Sequence, residues 1–423
     1  MKQPALTTPS DVSLAEPVLR TLANGLRIHT LPAEEFEVVR FTFVFRAGSA
    51  QQRKAFVATS TANLLSEGTR DMTSQQIAEQ LDFYGSYFDV NVDRDYVYIS
   101  FCSLSKYFRQ TLAVAGQILL HPAFPEEELL SYREKRKQRL RIERMKVETE
   151  AREAFARALF GAEHPYGVTW PETAYDDLTR DDLLDFYAHH YTARNCFVVC
   201  SGAADTAVVD AVAKVAVQLP AGDDPAQTAF PPVVTTPRVA VQHPGAVQSS
   251  IRIGRVLFPR NHPDYVGMQV VAMLLGGYFG SRLMQNLREE HGFTYGVVAA
   301  MVNLEREGYL AVATQVARDV TQQALTEIYR EIERLRTEPV TEEELSLVRN
   351  MMTGEMMRIL DGPFGIADVT IENILCDRRN DIVSENLRRI RAITPAEIQR
   401  LAEKYLSHEA LVTVVAGAPE EGS

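Results

Sequence analysis

Three short words of this sequence each occur twice, and no other feature limits the fold as strongly. ANLLSEG at Ala62 is answered by AMLLGGY at Ala272, FPEEELLSYR at Phe124 by VTEEELSLVR at Val340, and FVVCSG at Phe197 by VTVVAG at Val412. Each pair is separated by roughly 210 residues, far beyond the periods of solenoids and propellers, so the repeated unit is a whole domain. At 423 residues and about 100–200 residues per domain, two such units fill the chain.

Strand and helix signals mix within each unit without a regular alternation. Residues 19–47 read as strands around an Asn24-Gly25 hairpin signal, and two more are expected over 87–92 and 96–104, separated by the turn Asp93-Arg94-Asp95. Helices are expected over 55–65, over 73–83 behind a Thr73/Gln76 capping box, over 106–120, as one long stretch from 126 toward 160, and over TRDDLLDFYAHHY to near His189 and His190. The expected fold is α+β: two homologous domains, each a mainly antiparallel sheet with helices packed on one face. Residues 1–16 read as a loose lead-in, 17–219 as the first domain, 220–237 as a linker dense in Pro, Gly, Asp and Thr, and 238–420 as the second domain.

Composition narrows the function classes. A formal charge of −12 disfavours nucleic acid or an anionic membrane as the general partner. No long segment is free of charges, so no membrane span is expected, and residues 1–17 lack the apolar core of a signal peptide, which points to a cytoplasmic protein. Cys102, Cys196, Cys200 and Cys376 form no CxxC pair, and CFVVC reads as a buried strand, so free thiols are expected. The basic run from Arg133 to Arg144 is interleaved with Glu134 and Glu143, the pattern of a solvated, ion-paired helix face. His189 and His190 are neighbours on a helix, point about 100° apart, and cannot chelate one metal as an i, i+4 pair would.

The stretch 276–298, GGYFGSRLMQNLREEHGFTYGVV, reads as a Gly-rich turn, a short helix with Leu283, Met284 and Leu287 on its apolar side, a left-handed stop at Gly292, and a strand from Phe293. Arg288 then projects from the last helical turn and Tyr295 from the strand root, a cation and a phenol flanking one turn. By residue chemistry alone two readings stay open: a functional pair, or an Arg complementing the helix dipole beside a Tyr whose ring is core.

The pattern GG-x-x-x-SRL-x-x-x-LREE-x-G-x-x-Y resembles the C-terminal-domain motif of the pitrilysin/insulinase family of zinc peptidases, the inverzincins, and the resemblance extends over nearly the whole chain. FYAHHYTARNCFVVCSG fits that family's pattern of helix, Tyr, Asn and returning strand. The resemblance implies that Arg288 and Tyr295 bind substrate and reach across to a zinc site in another domain. Family members hold zinc through H-x-x-E-H, with the Glu activating water, and through a further Glu on the following long helix. Counted back from Glu67-Gly68-Thr69, the positions of His, Glu and His fall on Thr59, Ala62 and Asn63, none of which can ligate zinc or act as general base. Glu134 and Glu143 are both available on the long stretch, without a register that selects either. HExxH, G-x-S-x-G and P-loop signatures are absent.

The expected function is therefore that of a non-catalytic, substrate-binding subunit, inactive alone, with no metal or other cofactor of its own. Its partner would be a homologous HxxEH-bearing subunit that carries the zinc, and its substrates extended peptides or small unfolded proteins. Two alternatives stand beside it: a scaffold protein that has lost peptidase function, and a homodimeric peptide-binding module.

Overall fold

The computed structural model describes residues 12–33, 35–223 and 229–417. Residues 1–11 of the expected lead-in and 224–228 of the expected linker lie outside the described residues. Among the described residues, eleven strands form two sheets. The first contains β1 (Val18–Thr21), β2 (Arg27–Pro32), β3 (Val38–Phe45), β4 (Tyr87–Val92), β5 (Val97–Leu104) and β6 (Cys196–Gly202) in the order β1-β2-β6-β3-β5-β4. The second contains β7 (Arg238–Val241), β8 (Gln248–Leu257), β9 (Val297–Asn303), β10 (Gly308–Ala317) and β11 (Val412–Ala416) in the order β7-β11-β8-β10-β9.

Apart from β1, the two orders are the same. Each sheet has a single parallel pair, β2 with β6 and β7 with β11, and is otherwise antiparallel. The helices repeat as well: α1 (Val57–Leu64), α2 (Ser74–Phe83), α3 (Phe108–Leu120), α4 (Glu126–Arg144), α5 (Val147–Phe160), α6 (Arg180–His190) and α7 (Thr206–Ala216) serve the first half. In the second half come α8 (Tyr265–Ala272), α9 (Thr321–Thr337), α10 (Glu342–Ile359), α11 (Pro363–Leu375), α12 (Ile382–Ala392) and α13 (Pro395–Tyr405). The three repeated words fall on equivalent elements: the ends of α1 and α8, the starts of α4 and α10, and the central strands β6 and β11. The chain is a two-domain α+β protein with an internal repeat.

One face of each sheet is covered by helices of its own half. Phe41, Phe43 and Phe101 pack with Ala58, Leu112, Ile118 and Val212, and Ile251, Ile253 and Val312 with Val271, Leu325, Ile328 and Leu401. The opposite faces are covered reciprocally. Helix α5 leaves the first domain and lies on β7, β11 and β8, where Phe155, Leu159 and Phe160 meet Val412, Val414 and Tyr309. Helix α11 returns the exchange on β2 and β6, with Ala367 and Ile371 against Leu31, Val44, Phe197 and Val199. Burial on both faces explains why β6 and β11 are continuous apolar runs rather than alternating ones.

This exchange corrects the expectation of one helix from 126 toward 160. The chain breaks at Met145 and Lys146, with Lys146 extended at φ −94°, ψ 127°, because α4 stays with its own domain while α5 crosses to the other. The first described residues touch the second domain too, where Asn380 donates to the Ala15 carbonyl at 2.8 Å.

The domains also meet through their hairpin turns. The Asp95 carboxylate accepts from the Tyr166 hydroxyl at 2.6 Å and from the Glu305 backbone N–H at 2.9 Å, and Arg46 pairs with Glu305 at 2.9 Å. Burial pushes the Asp95 carboxyl up to about 6, and its hydrogen bonds only partly oppose that. An unfolded Asp ionises near about 3.9, so the folded state binds this proton more tightly; the resulting stabilisation is complete below about pH 4 and is lost as pH rises through 6. Asp95→Asn is therefore expected to remove, on the order of 2–3 kcal/mol, a decline in stability between pH 4 and 7. Denaturant titrations of both proteins across that range check it; parallel pH profiles would show that Asp95 does not contribute.

Candidate functional site

The second-domain motif folds around two glycines. After α8 the chain winds through a π-turn over Met273–Gly277, and a side chain at Gly276 would place its Cβ 2.7 Å from the Ala299 backbone nitrogen, so the helix end can lie directly against β9 only without one. A second π-wound segment, Met284–Glu290, ends where Gly292 takes φ +65° and donates to the Arg288 carbonyl at 3.1 Å, the left-handed cap expected from sequence. Leu283, Met284 and Leu287 are buried in the second core, as their spacing predicts.

Polar bonds fix the segment's remaining sides. Arg282 grips Glu344 of α10 bidentately at 2.8 and 2.9 Å, and buried Asn286 donates to Glu327 and Glu331 of α9 at 2.9 and 3.0 Å. Strand β9 begins at Val297 and not at Phe293: the Thr294 hydroxyl receives the Gly296 N–H at 3.1 Å and bonds the Gln315 carbonyl at 2.7 Å, closing residues 293–296 into a loop. Tyr295 sits at the crest of that loop.

There the two sequence-predicted residues come together. The Arg288 guanidinium lies 5.2 Å from the Tyr295 ring centroid and 4.6 Å from that of Phe279, so it is held between two aromatic faces. Tyr295 is 91% exposed and Phe279 61%. The reading of Tyr295 as a core ring with a wet hydroxyl is thereby excluded. Arg288 also reaches its neighbour Glu289 at 3.4 Å. Each cation–π contact contributes about 0.5–1 kcal/mol at an exposed site, enough to restrict the guanidinium to one region while its terminal donors, away from the Nε that faces Glu289, can meet a carbonyl or carboxylate. Sequence reasoning missed Phe279; its signal was an aromatic in the x-x-x of GG-x-x-x-SRL, where a turn gives a ring nothing to bury against.

The first-domain positions Thr59, Ala62 and Asn63 lie on α1. Ala62 is fully buried, and the Asn63 amide donates to the Thr59 carbonyl at 2.7 Å and the Tyr132 hydroxyl of α4 at 3.3 Å. A methyl group, an amide already bonded to its neighbours and a lone hydroxyl do not make a zinc site, and among the described residues no group of three or more His, Cys, Asp or Glu could hold a metal. Glu143 on α4 is paired with Arg139 at 3.0 Å, and Glu134 is exposed. His189 bonds its own helix, while His190 stacks on Phe186 with burial pushing it down to about 4.

Comparison with known proteins identifies the family. The insulinase (peptidase family M16) profile matches residues 33–164, and the profile of the peptidase M16 inactive domain matches residues 177–352. The chain belongs to the M16 peptidase family. Relatives of this M16 chain include an uncharacterized zinc protease of Rickettsia bellii, 23% identical over 346 residues covering 79% of this chain and 82% of the relative. Another is a probable mitochondrial-processing peptidase subunit beta of Arabidopsis thaliana, 22% identical over 424 residues covering 93% and 77%. In fold it is similar to the crystal structure of a peptidase M16 inactive domain from Pseudomonas fluorescens, with TM-score 0.89, 22% identity, and 96% and 98% of the two chains covered. A protease from Helicobacter pylori follows with TM-score 0.85, 16% identity, and 95% and 100% covered. No helix among the described residues is long and apolar enough to cross a membrane.

The isolated chain is expected to purify without stoichiometric zinc and to leave fluorogenic peptides uncut, because Thr59, Ala62 and Asn63 supply neither ligands nor base. Elemental analysis after chelator-free purification, beside the peptide assay, tests this. One zinc per chain with chelator-sensitive cleavage would refute it.

Proposed function

We propose that this M16 chain is the non-catalytic, substrate-binding subunit of a two-chain peptidase, in which Arg288 and Tyr295 complete in trans the active site of a homologous HxxEH-bearing subunit. The partner brings the zinc and the general base. The observation that supports this most is the exposed Phe279-Arg288-Tyr295 stack, built on a segment anchored by Arg282, Asn286 and Gly292, in a chain whose metal-side positions hold Thr59, Ala62 and Asn63. Anchoring without occlusion is what a group presented to another molecule requires.

The chemistry follows from charge. A peptide carbonyl under attack gains negative charge on oxygen, and a phenol or guanidinium aimed at that oxygen stabilises the transition state more than the ground state. The substrates are extended peptides or small unfolded proteins. Strand β9 is the edge of its sheet and starts two residues after Tyr295, so a peptide added to that edge would run beside the pair and be recognised by its backbone.

The test is reconstitution. The chain is mixed with an HxxEH-bearing M16 subunit from the same cell, complex formation is followed by size exclusion, and hydrolysis of an unstructured peptide is measured with each chain alone and with both. Strong activity only in the mixture is expected. A partner subunit that cleaves equally well alone would move the assignment to a scaffold role.

A further inference from the structure

Beside Thr59 lies a cavity of about 380 Å³ that contains neither Arg288 nor Tyr295 in its lining. Five guanidiniums line it: Arg94 from the β4–β5 turn, Arg136, Arg139 and Arg144 from α4, and Arg152 from α5. Two are neutralised, Arg139 by Glu143 at 3.0 Å and Arg144 by Glu153 at 3.1 Å. The other three have no carboxylate in ion-pair contact among the described residues. Arg136 lies over the Tyr132 ring at 5.8 Å, and its Nε is buried without a hydrogen-bond partner. Asp95, next to Arg94 in the chain, is committed to Tyr166 and to the Glu305 N–H. Burial holds Arg94 below the usual guanidinium range; Tyr309 and Asp95 oppose the shift, and Arg152 adds a smaller repulsion.

Arg94 and Arg152 repel each other and Arg94 is partly desolvated, a cost that a bound anion would offset, while Arg136, whose charge Tyr132, Tyr175 and Glu143 favour, adds a buried Nε still open to an acceptor. Guanidinium forks match planar carboxylates bidentately. The rest of the lining mixes polar Ser49, Gln52, Thr59 and Thr169 with an aromatic face where Phe56 stacks on Tyr175 at 4.0 Å and Trp170 joins them, a surface that offers contacts to both the backbone amides and the methylenes of a peptide.

We propose that this cavity is a second subsite of the chain that binds the carboxylate side chains of an acidic peptide segment through Arg94, Arg136 and Arg152, giving the subunit a preference for substrates containing Asp or Glu. This rests on the peptide-binding role above only in the choice of ligand. No bond is made or broken there.

The experiment measures binding to the isolated full-length chain by fluorescence anisotropy, with two labelled unstructured peptides identical except that a Glu-Glu pair in one is Gln-Gln in the other. The Glu peptide should bind about tenfold tighter at low salt, and the difference should shrink as ionic strength rises. It should fall severalfold in Arg152→Gln, whose side chain is exposed on α5 and can change without disturbing a core, and vanish in Arg94→Gln/Arg152→Gln. Arg330→Gln, which removes an exposed guanidinium on α9 outside the cavity, should leave the preference intact. Equal binding of the two peptides, or an undiminished preference in Arg152→Gln and the double variant, would overturn the proposal. Displacement of the peptide by inorganic phosphate at equal concentration would also overturn it and reassign the cavity to a small anion. Failure to stimulate a catalytic partner, with the Glu-over-Gln preference intact, would count against the active-site role of Arg288 and Tyr295 and leave this subsite standing.

Discussion

Tyr295→Phe should lower kcat of the reconstituted pair by roughly 10²–10³ while the melting temperature stays unchanged. The substitution removes one hydroxyl from a ring that is 91% exposed, so no packing is lost, and the ring face that contacts Arg288 remains. Any loss of rate then belongs to the hydroxyl. Arg288→Ala should behave differently, raising KM more than it lowers kcat, if the guanidinium holds substrate equally in ground and transition states. Phe279→Ala should resemble a weaker Arg288→Ala, since it removes one of the two faces that confine the cation. A purely structural role predicts the reverse pattern: lower melting temperatures and undiminished activity per folded pair. Steady-state kinetics with the three variants, each beside a thermal melt, separates the outcomes. Full activity in both Tyr295→Phe and Arg288→Ala would end the trans-completion proposal.

The second large effect concerns the crossing helix. Phe155→Ala should cost about 3–5 kcal/mol, because its ring is buried between domains and the loss leaves a cavity that a helix clamped on a sheet cannot collapse to fill. One ring carbon sits 3.0 Å from where a Gly254 Cβ would be, and Tyr309 meets it edge-on at 6.4 Å. Since α5 belongs to the first domain and covers the second domain's sheet, weakening it should uncouple the halves as well as destabilise them. Calorimetry should show a single unfolding transition in the parent protein and two in the variant. A single transition, shifted by less than a substitution at an exposed position such as Glu134→Ala would shift it, would mean that α5 contributes little to joining the domains.

Much of this was legible in the sequence because local chemistry sufficed. The repeated words landed on equivalent helices and strands, the Thr73/Gln76 capping box formed, Asn24-Gly25 turned a hairpin, and Gly292 capped the helix carrying Arg288. Each depends on one residue type meeting a backbone requirement within a few positions. The basic run on α4 was read as an ion-paired face, and Lys137, Arg139 and Arg144 are paired with Asp176, Glu143 and Glu153.

Tertiary structure decided what lies across from a residue. CFVVC announces a strand buried on two faces, but nothing in that run says that one face is covered by α11 from the other domain. The same exchange broke the expected long helix at Lys146. Arg94, Arg136 and Arg152 are far enough apart in sequence, on a turn and two helices, to look unrelated, and only the crossing of α5 brings them to one cavity. Phe279 lies in a glycine-rich turn, and only the fold sets its ring against Arg288. Periodicity and capping report which side of an element is apolar and where it stops; which partner occupies that side depends on contacts between residues distant in the chain, whose formation is governed by packing of the whole and leaves no mark in a local window.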